Sequence, residues 1–333
     1  PRYKDFALVR EMMETPSIVK NFNPAQAADA AEAIKATGRV FFTGEGSSRI
    51  FPAKNAMRRA REWGLDANLA TEGARQSALY DLAKFVVFAA SNSGSTKEVI
   101  ALADKLTGAG HDKLFGLTAR ENTKLAEKCA NTFVLTCGWE EAVAATKSVI
   151  EQALFYQSLL SQAAGRDLAG SLAPLGEKIE TALTREIPAD MTRAVAGAGT
   201  IYFAGFNDGV AEELTLKTNE ITRKKSDFLE GTYAVHGIEE VMNSDDVVIV
   251  VDPMPEEEAK FKEVLVDGVG LKVFAIADRD TTFPTVVIPE AGELSGMAQL
   301  AAGWNLLIEV GVSLGIDLDK PERARKVGNE FVG

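Results

Sequence analysis

The stretch Ser91-Asn92-Ser93-Gly94-Ser95-Thr96 sets four hydroxyls, an amide and a glycine behind the apolar run "FVVFAA" and ahead of the amphipathic "KEVIALADKL". Hydroxyl and amide groups donate hydrogen bonds to an oxyanion, and glycine lets the main chain approach it. At a helix N-terminus, where unpaired N–H groups carry partial positive charge, such residues form a phosphate cradle. Helix capping asks for one residue of this kind, and here there are five. A second stretch, "FFTGEGSSRIFP" (41–52), is again apolar run, glycine turn, paired serines and helix. It lacks the third glycine of a dinucleotide fingerprint, so the two loops suit a small phosphate ester better than a pyrophosphate.

Loops of this kind must be positioned by strands and helices. Apolar runs at 38–44, 85–91, 113–119 and 131–137, with a shorter one near 66–72, read as strands of a parallel sheet. Amphipathic segments at 51–64, 97–110 and 122–130 read as the intervening helices, and a long helical pattern from about 141 closes the unit. The plan repeats, with strands expected at 199–206, 246–252, 272–278 and 284–290 and a closing helix at 297–315. The expected fold class is therefore α/β, with two similar doubly wound parallel-sheet domains in tandem. The expected boundaries are an N-terminal helical segment at 1–30, domains at 31–170 and 185–317, and a C-terminal tail at 318–333 that covers the site.

A chain of 333 residues is comfortable for two domains. Its formal charge of −12 argues against a nucleic-acid or anionic-membrane partner, while leaving room for a locally positive cradle. No apolar run approaches the roughly 20 residues of a membrane span, and the opening residues lack a signal-peptide core, so a cytoplasmic location is expected. The two cysteines, Cys129 and Cys137, make neither a disulfide framework nor a zinc pattern and read as buried thiols. Of the two histidines, His111 reads as a surface turn residue, and neither belongs to a ligand cluster, so no metal is expected.

In order and spacing, "GEGSS" (44–48), "SNSGSTKE" (91–98) and "EEAVAATKSV" (140–149) resemble the sugar isomerase (SIS) domain family. The likeness extends over nearly the whole chain and is to double-domain members, among them the isomerase half of glutamine-dependent amino-sugar synthases. It implies flavodoxin-like domains, no cofactor, a hexose 6-phosphate as ligand, and a homodimer with the site at the subunit interface. It further implies that Gly46, Ser47, Ser48, Ser91, Asn92, Ser93 and Thr96 hold the sugar phosphate, that Val143, Ala145 and Lys217 also bind the substrate, and that Glu220, His236 and Lys326 carry the reaction.

The residue types fit those roles. A carboxylate partly withdrawn from water can move a proton between C1 and C2 of an open-chain sugar. A histidine can exchange protons during ring opening. A lysine can form a Schiff base or steady a developing oxyanion. Taken singly, Lys217 and Glu220 read as a solvated helix pair and Lys326 as surface decoration.

Asn92 stands where the family usually has glutamine or a similar polar residue, a mild change. Two departures bear on the substituent at C2: Ala145 stands where a serine faces the substrate, and "VHGIEEV" where histidine is followed by glycine and proline. The sequence opens at the isomerase segment, so glutamine-dependent amination is not expected of it alone. The expected reaction converts glucosamine 6-phosphate to fructose 6-phosphate and ammonia. The alternatives are a fructosamine-6-phosphate deglycase, a ketose/aldose phosphate isomerase, or a non-enzymatic phosphosugar sensor.

Overall fold

The computed structural model describes residues 2–325 and 330–331. In chain order the first half contains α1 (Ala7–Asn21), α2 (Ala28–Thr37), β1 (Arg39–Gly44), α3 (Ile50–Glu62), β2 (Asn68–Gly73), α4 (Ala74–Ser77), β3 (Val86–Ala90), α5 (Lys97–Gly108), β4 (Leu114–Thr118), β5 (Asn131–Val134) and α6 (Lys147–Ala163). Then follow α7 (Ala169–Thr184), α8 (Ala189–Gly197), β6 (Ile201–Gly205), α9 (Val210–Thr222), β7 (Ser226–Glu230), β8 (Val247–Val251), α10 (Glu258–Phe261), β9 (Lys272–Ala277), β10 (Thr285–Val287) and α11 (Ser295–Ser313). One compact unit comprises 17–141, 145–173 and 323–333, and the other comprises 1–16, 142–144 and 174–322.

Each unit holds a five-stranded sheet, with neighbour order β2-β1-β3-β4-β5 in one and β7-β6-β8-β9-β10 in the other. Every neighbouring pair is parallel. Counted within its own unit, each order is 2-1-3-4-5, the flavodoxin-like winding with a switch point between its first and third strands. The expected fold class is the observed one.

Strand periodicity explains the layers. On β1, Phe41 and Phe42 turn to opposite faces. Phe41 joins Val87, Ala89, Ile100 and Leu114 in one core layer. On the other face the Phe42 ring centroid lies 4.4 Å from that of Tyr156 on α6 and 5.8 Å from that of Phe88. α6 is buried from Lys147 to Ser161, polar residues included. In the second unit, Gly303 of α11 lies against Leu214 of α9, where any Cβ would overlap the leucine.

Three local expectations are corrected. Residues 122–130 form turns rather than a helix. Leu125 N donates to Gly94 O at 3.0 Å, so this segment is folded onto the serine loop instead of coiling on itself. The helix expected from about 141 begins only at Lys147, because the Glu140 carboxylate accepts Thr146 N at 2.7 Å and holds the preceding turn open. Finally, β7 was absent from the expected strands. It is an edge strand whose one fully buried side chain, Leu229, leaves no apolar run to read.

Candidate active site

β1 and β3 are neighbours, and each ends in a serine loop leading into a helix at the switch point of the sheet. Gly44 lets the two loops close on each other, since a Cβ there would lie 2.9 Å from Ser48 O and 3.0 Å from Ala90 O. Gly46 is exposed at φ +54°, with Ser47 and Ser48 half-buried behind it. Gln152 of α6 donates through Nε2 to Ser48 O and fastens this loop from below.

In the second loop Ser91 is buried, and its Oγ lies 2.8 Å from Thr96 Oγ1 and 3.4 Å from Ser93 Oγ. Ser93 Oγ accepts from Ser95 N at 3.2 Å and from Ser95 Oγ at 3.0 Å. Gly94 turns the chain at φ +64°, a left-handed conformation that glycine adopts at no steric cost. Thr96 is the N-cap of α5, yet its side chain makes no capping hydrogen bond. Its hydroxyl instead faces Ser91, whose Oγ also accepts from Thr96 N at 3.4 Å. Asn92 donates through Nδ2 to Ser148 Oγ at 2.7 Å. From the tail, Phe331 N donates to Ser95 O at 2.9 Å and Glu330 Oε1 accepts from Ser95 Oγ at 3.2 Å, beside a Thr96–Glu330 antiparallel bridge.

Ala145 is buried and Val143 half-buried, both on the turn before α6. Lys326 lies outside the described residues.

The other unit holds the ionisable group. On α9, Lys217 is fully buried, with Nζ 2.7 Å from Glu220 Oε2 and 3.3 Å from Glu213 Oε1. Burial by itself lowers the pKa of this ammonium, but the two carboxylates, Glu220 first, outweigh burial and hold it above the ordinary lysine value. Glu213 is fully buried, whereas Glu220 keeps 24% of its side chain exposed. Glu220 is thus a carboxylate held on one side by an ammonium and open on the other. His236 is exposed and lies between two short 3-10 turns after β7, with Gly237 at φ +110° behind it.

Topology separates Glu220 from His236 in one chain. β6 ends at Gly205, α9 starts at Val210 and runs back, and Lys225 O meets Ile201 N at the amino end of β6. Ten residues of helix set Glu220 about 15 Å from Val210, toward that amino end. His236 follows the carboxyl end of β7, where Gly231 N donates to Gly205 O at 2.6 Å. The two groups therefore occupy opposite ends of one sheet.

Sequence reasoning missed four contributors: Glu140, Ser148, Gln152 and Glu213. Glu213 was findable, because it precedes Lys217 by one helical turn on the same face. The other three act across loops distant in sequence and leave no periodic trace.

No family model matches the chain. The glutamine–fructose-6-phosphate aminotransferase [isomerizing] of Aeropyrum pernix is 26% identical over 264 residues, which are 72% of this chain and 43% of that protein. The chain thus spans less than half the length of the curated relative it matches. The C-terminal domain of glucosamine-fructose-6-phosphate aminotransferase from Francisella tularensis aligns with a TM-score of 0.76 at 18% identity, covering 96% of this chain and 99% of that one. Glucosamine-6-phosphate deaminase from Thermotoga maritima aligns at 0.73 with 20% identity, covering 96% and 97%.

Proposed function

This chain is a tandem sugar isomerase (SIS) fold resembling the isomerase half of glutamine–fructose-6-phosphate aminotransferase, and on that premise we propose that it moves a proton between C1 and C2 of a hexose 6-phosphate. The observation that carries this reading is the hydroxyl cluster of Ser91, Ser93 and Thr96, gathered within 3.4 Å at the start of α5 without capping it. Rotatable donors beside a helix N-terminus suit a phosphate dianion, and Gly46, Ser47 and Ser48 line the facing loop.

The preferred substrate is glucosamine 6-phosphate. His236 exchanges the protons that open the ring. Glu220 takes the proton from C2, the electron pair moves to the C1 carbonyl, and Lys326 steadies the charge on that oxygen. Return of the proton to C1 leaves an imine at C2. Water adds there, ammonia departs, and fructose 6-phosphate remains, so one water is consumed for each ammonia released. Lys217 keeps Glu220 in place throughout. Since Glu220 and His236 occupy opposite ends of one sheet, a site that uses both draws the histidine from a second copy, which favours a homodimer.

The test is incubation with glucosamine 6-phosphate, fructose 6-phosphate and fructosyl-lysine 6-phosphate in turn, following ammonia, free amino acid and sugar phosphate. Turnover of the first, lost in Glu220→Gln by about a hundredfold or more, is the expected result. Turnover of another substrate reassigns the leaving group. Binding without turnover of any makes the protein a sensor and removes the catalytic roles.

A further inference from the structure

Glu140 moves no proton in this scheme, yet its carboxylate is buried, 2% exposed, and engaged at both oxygens. Oε1 accepts from Thr146 N at 2.7 Å and Thr146 Oγ1 at 3.1 Å, and Oε2 accepts from the Ser148 hydroxyl. A carboxylate only accepts, so the hydrogen of Ser148 is committed to Glu140. Toward Asn92 the serine oxygen can then only accept, and Asn92 Nδ2 donates to it at 2.7 Å. The two ends of an asparagine amide have nearly the same shape, so partners decide which way round it sits. Here the decision is made two residues away, by a buried charge.

We propose that Glu140 is a positioning residue that sets the polarity of Asn92. Through Ser148 it draws Nδ2 inward, so a ligand meets Oδ1, an acceptor, and one remaining N–H. An acceptor gains nothing from a phosphate oxygen but takes a hydrogen from a sugar hydroxyl or ammonium. The serine and threonine hydroxyls therefore read the phosphate, and Asn92 reads the sugar. That consequence rests on the hexose 6-phosphate reading, whereas the polarity itself does not.

Glu140→Gln reverses the relay. Its carbonyl keeps the Thr146 donors and its Nε2 faces Ser148, which frees the serine hydrogen to turn toward Asn92 and invert the amide. In calorimetry, E140Q is expected to bind fructose 6-phosphate about tenfold more weakly while binding inorganic phosphate within about twofold of the parent, the loss of one hydrogen bond. Equal losses for both ligands, or none for either, would overturn the proposal. Ser148→Ala breaks the same relay without touching Glu140. It should show the same selectivity, and E140Q/S148A should lose no more than the worse single variant, since both act through one chain. Additive losses count against the relay.

Thermal unfolding supplies an arm that needs no ligand. Asn92→Asp sets an acceptor against an acceptor and should lower the midpoint by about 3 °C. E140Q/N92D should recover it, because the reversed relay then ends on an acceptor. If it does not recover, the polarity assignment is wrong. If the parent binds neither fructose 6-phosphate nor phosphate, the hexose phosphate reading falls, and unfolding still decides the polarity.

Discussion

Lys217 has no exposed surface, and what keeps it charged there is the pair of carboxylates one turn to either side. Its spacing from Glu220 was plain in the sequence, but the same spacing describes a solvated pair. Only packing shows that this face of α9 turns inward. A raised folded-state pKa contributes stability in full below the unfolded lysine value of about 10.4 and loses it as pH rises through the folded value. Lys217→Met is therefore expected to cost about 3–5 kcal/mol at pH 8 by urea unfolding, because it removes the ammonium from between Glu220 and buried Glu213. The gap to the parent should narrow above about pH 10.5. A gap that stays constant to pH 11 would show that the ammonium is not the group responsible.

Among the elements, the loop between β3 and α5 depends on a neighbour that local pattern could not supply. The segment at 122–130 has helical periodicity, yet Thr123 packs against Gly94 and Leu125 N reaches Gly94 O at 3.0 Å. Those contacts replace the helix and hold the serines in place. Gly94→Ala places a Cβ at φ +64° inside the Thr123 side chain, so two independent penalties coincide. We expect the unfolding midpoint to fall by about 4 °C. Fructose 6-phosphate binding should weaken at least tenfold, as the cradle hydroxyls move out of register. Unchanged affinity in a folded G94A protein would mean that the anion is held elsewhere.

On the scale of the whole molecule, the two units share one strand order but not one chemistry. Where the first sheet carries serines after β1 and β3, the second carries Asp208 and Asp252 after β6 and β8, side chains that repel an anion. The repeat thus keeps one winding while the loops at the strand ends differ in charge. Under the homodimer proposal, inactive Glu220→Gln and His236→Asn proteins should restore activity when unfolded together and refolded. A mixed dimer would have one site with both groups intact, so random pairing would give about a quarter of the parent rate. No recovery, with mixed dimers shown to form, would place both groups in one chain's site.

The sequence by itself determined the fold class, because strand and helix periodicities alternate twice along the chain and depend only on local burial. It also pointed to a candidate anion cradle, because a cluster of hydroxyls between strand and helix has a chemical meaning before any folding. Tertiary structure alone decided the edge strand β7, the late start of α6 at Lys147 and the turns at 122–130. The edge strand and the turns depend on pairing or packing with another segment, and the start of α6 on the side chain of Glu140, six residues before Thr146, and each outweighs the periodic preference. The same holds for Glu140, whose link to Asn92 runs through Ser148 and spans loops far apart in sequence. Periodicity records which face is buried, and only the folded chain shows what that face meets.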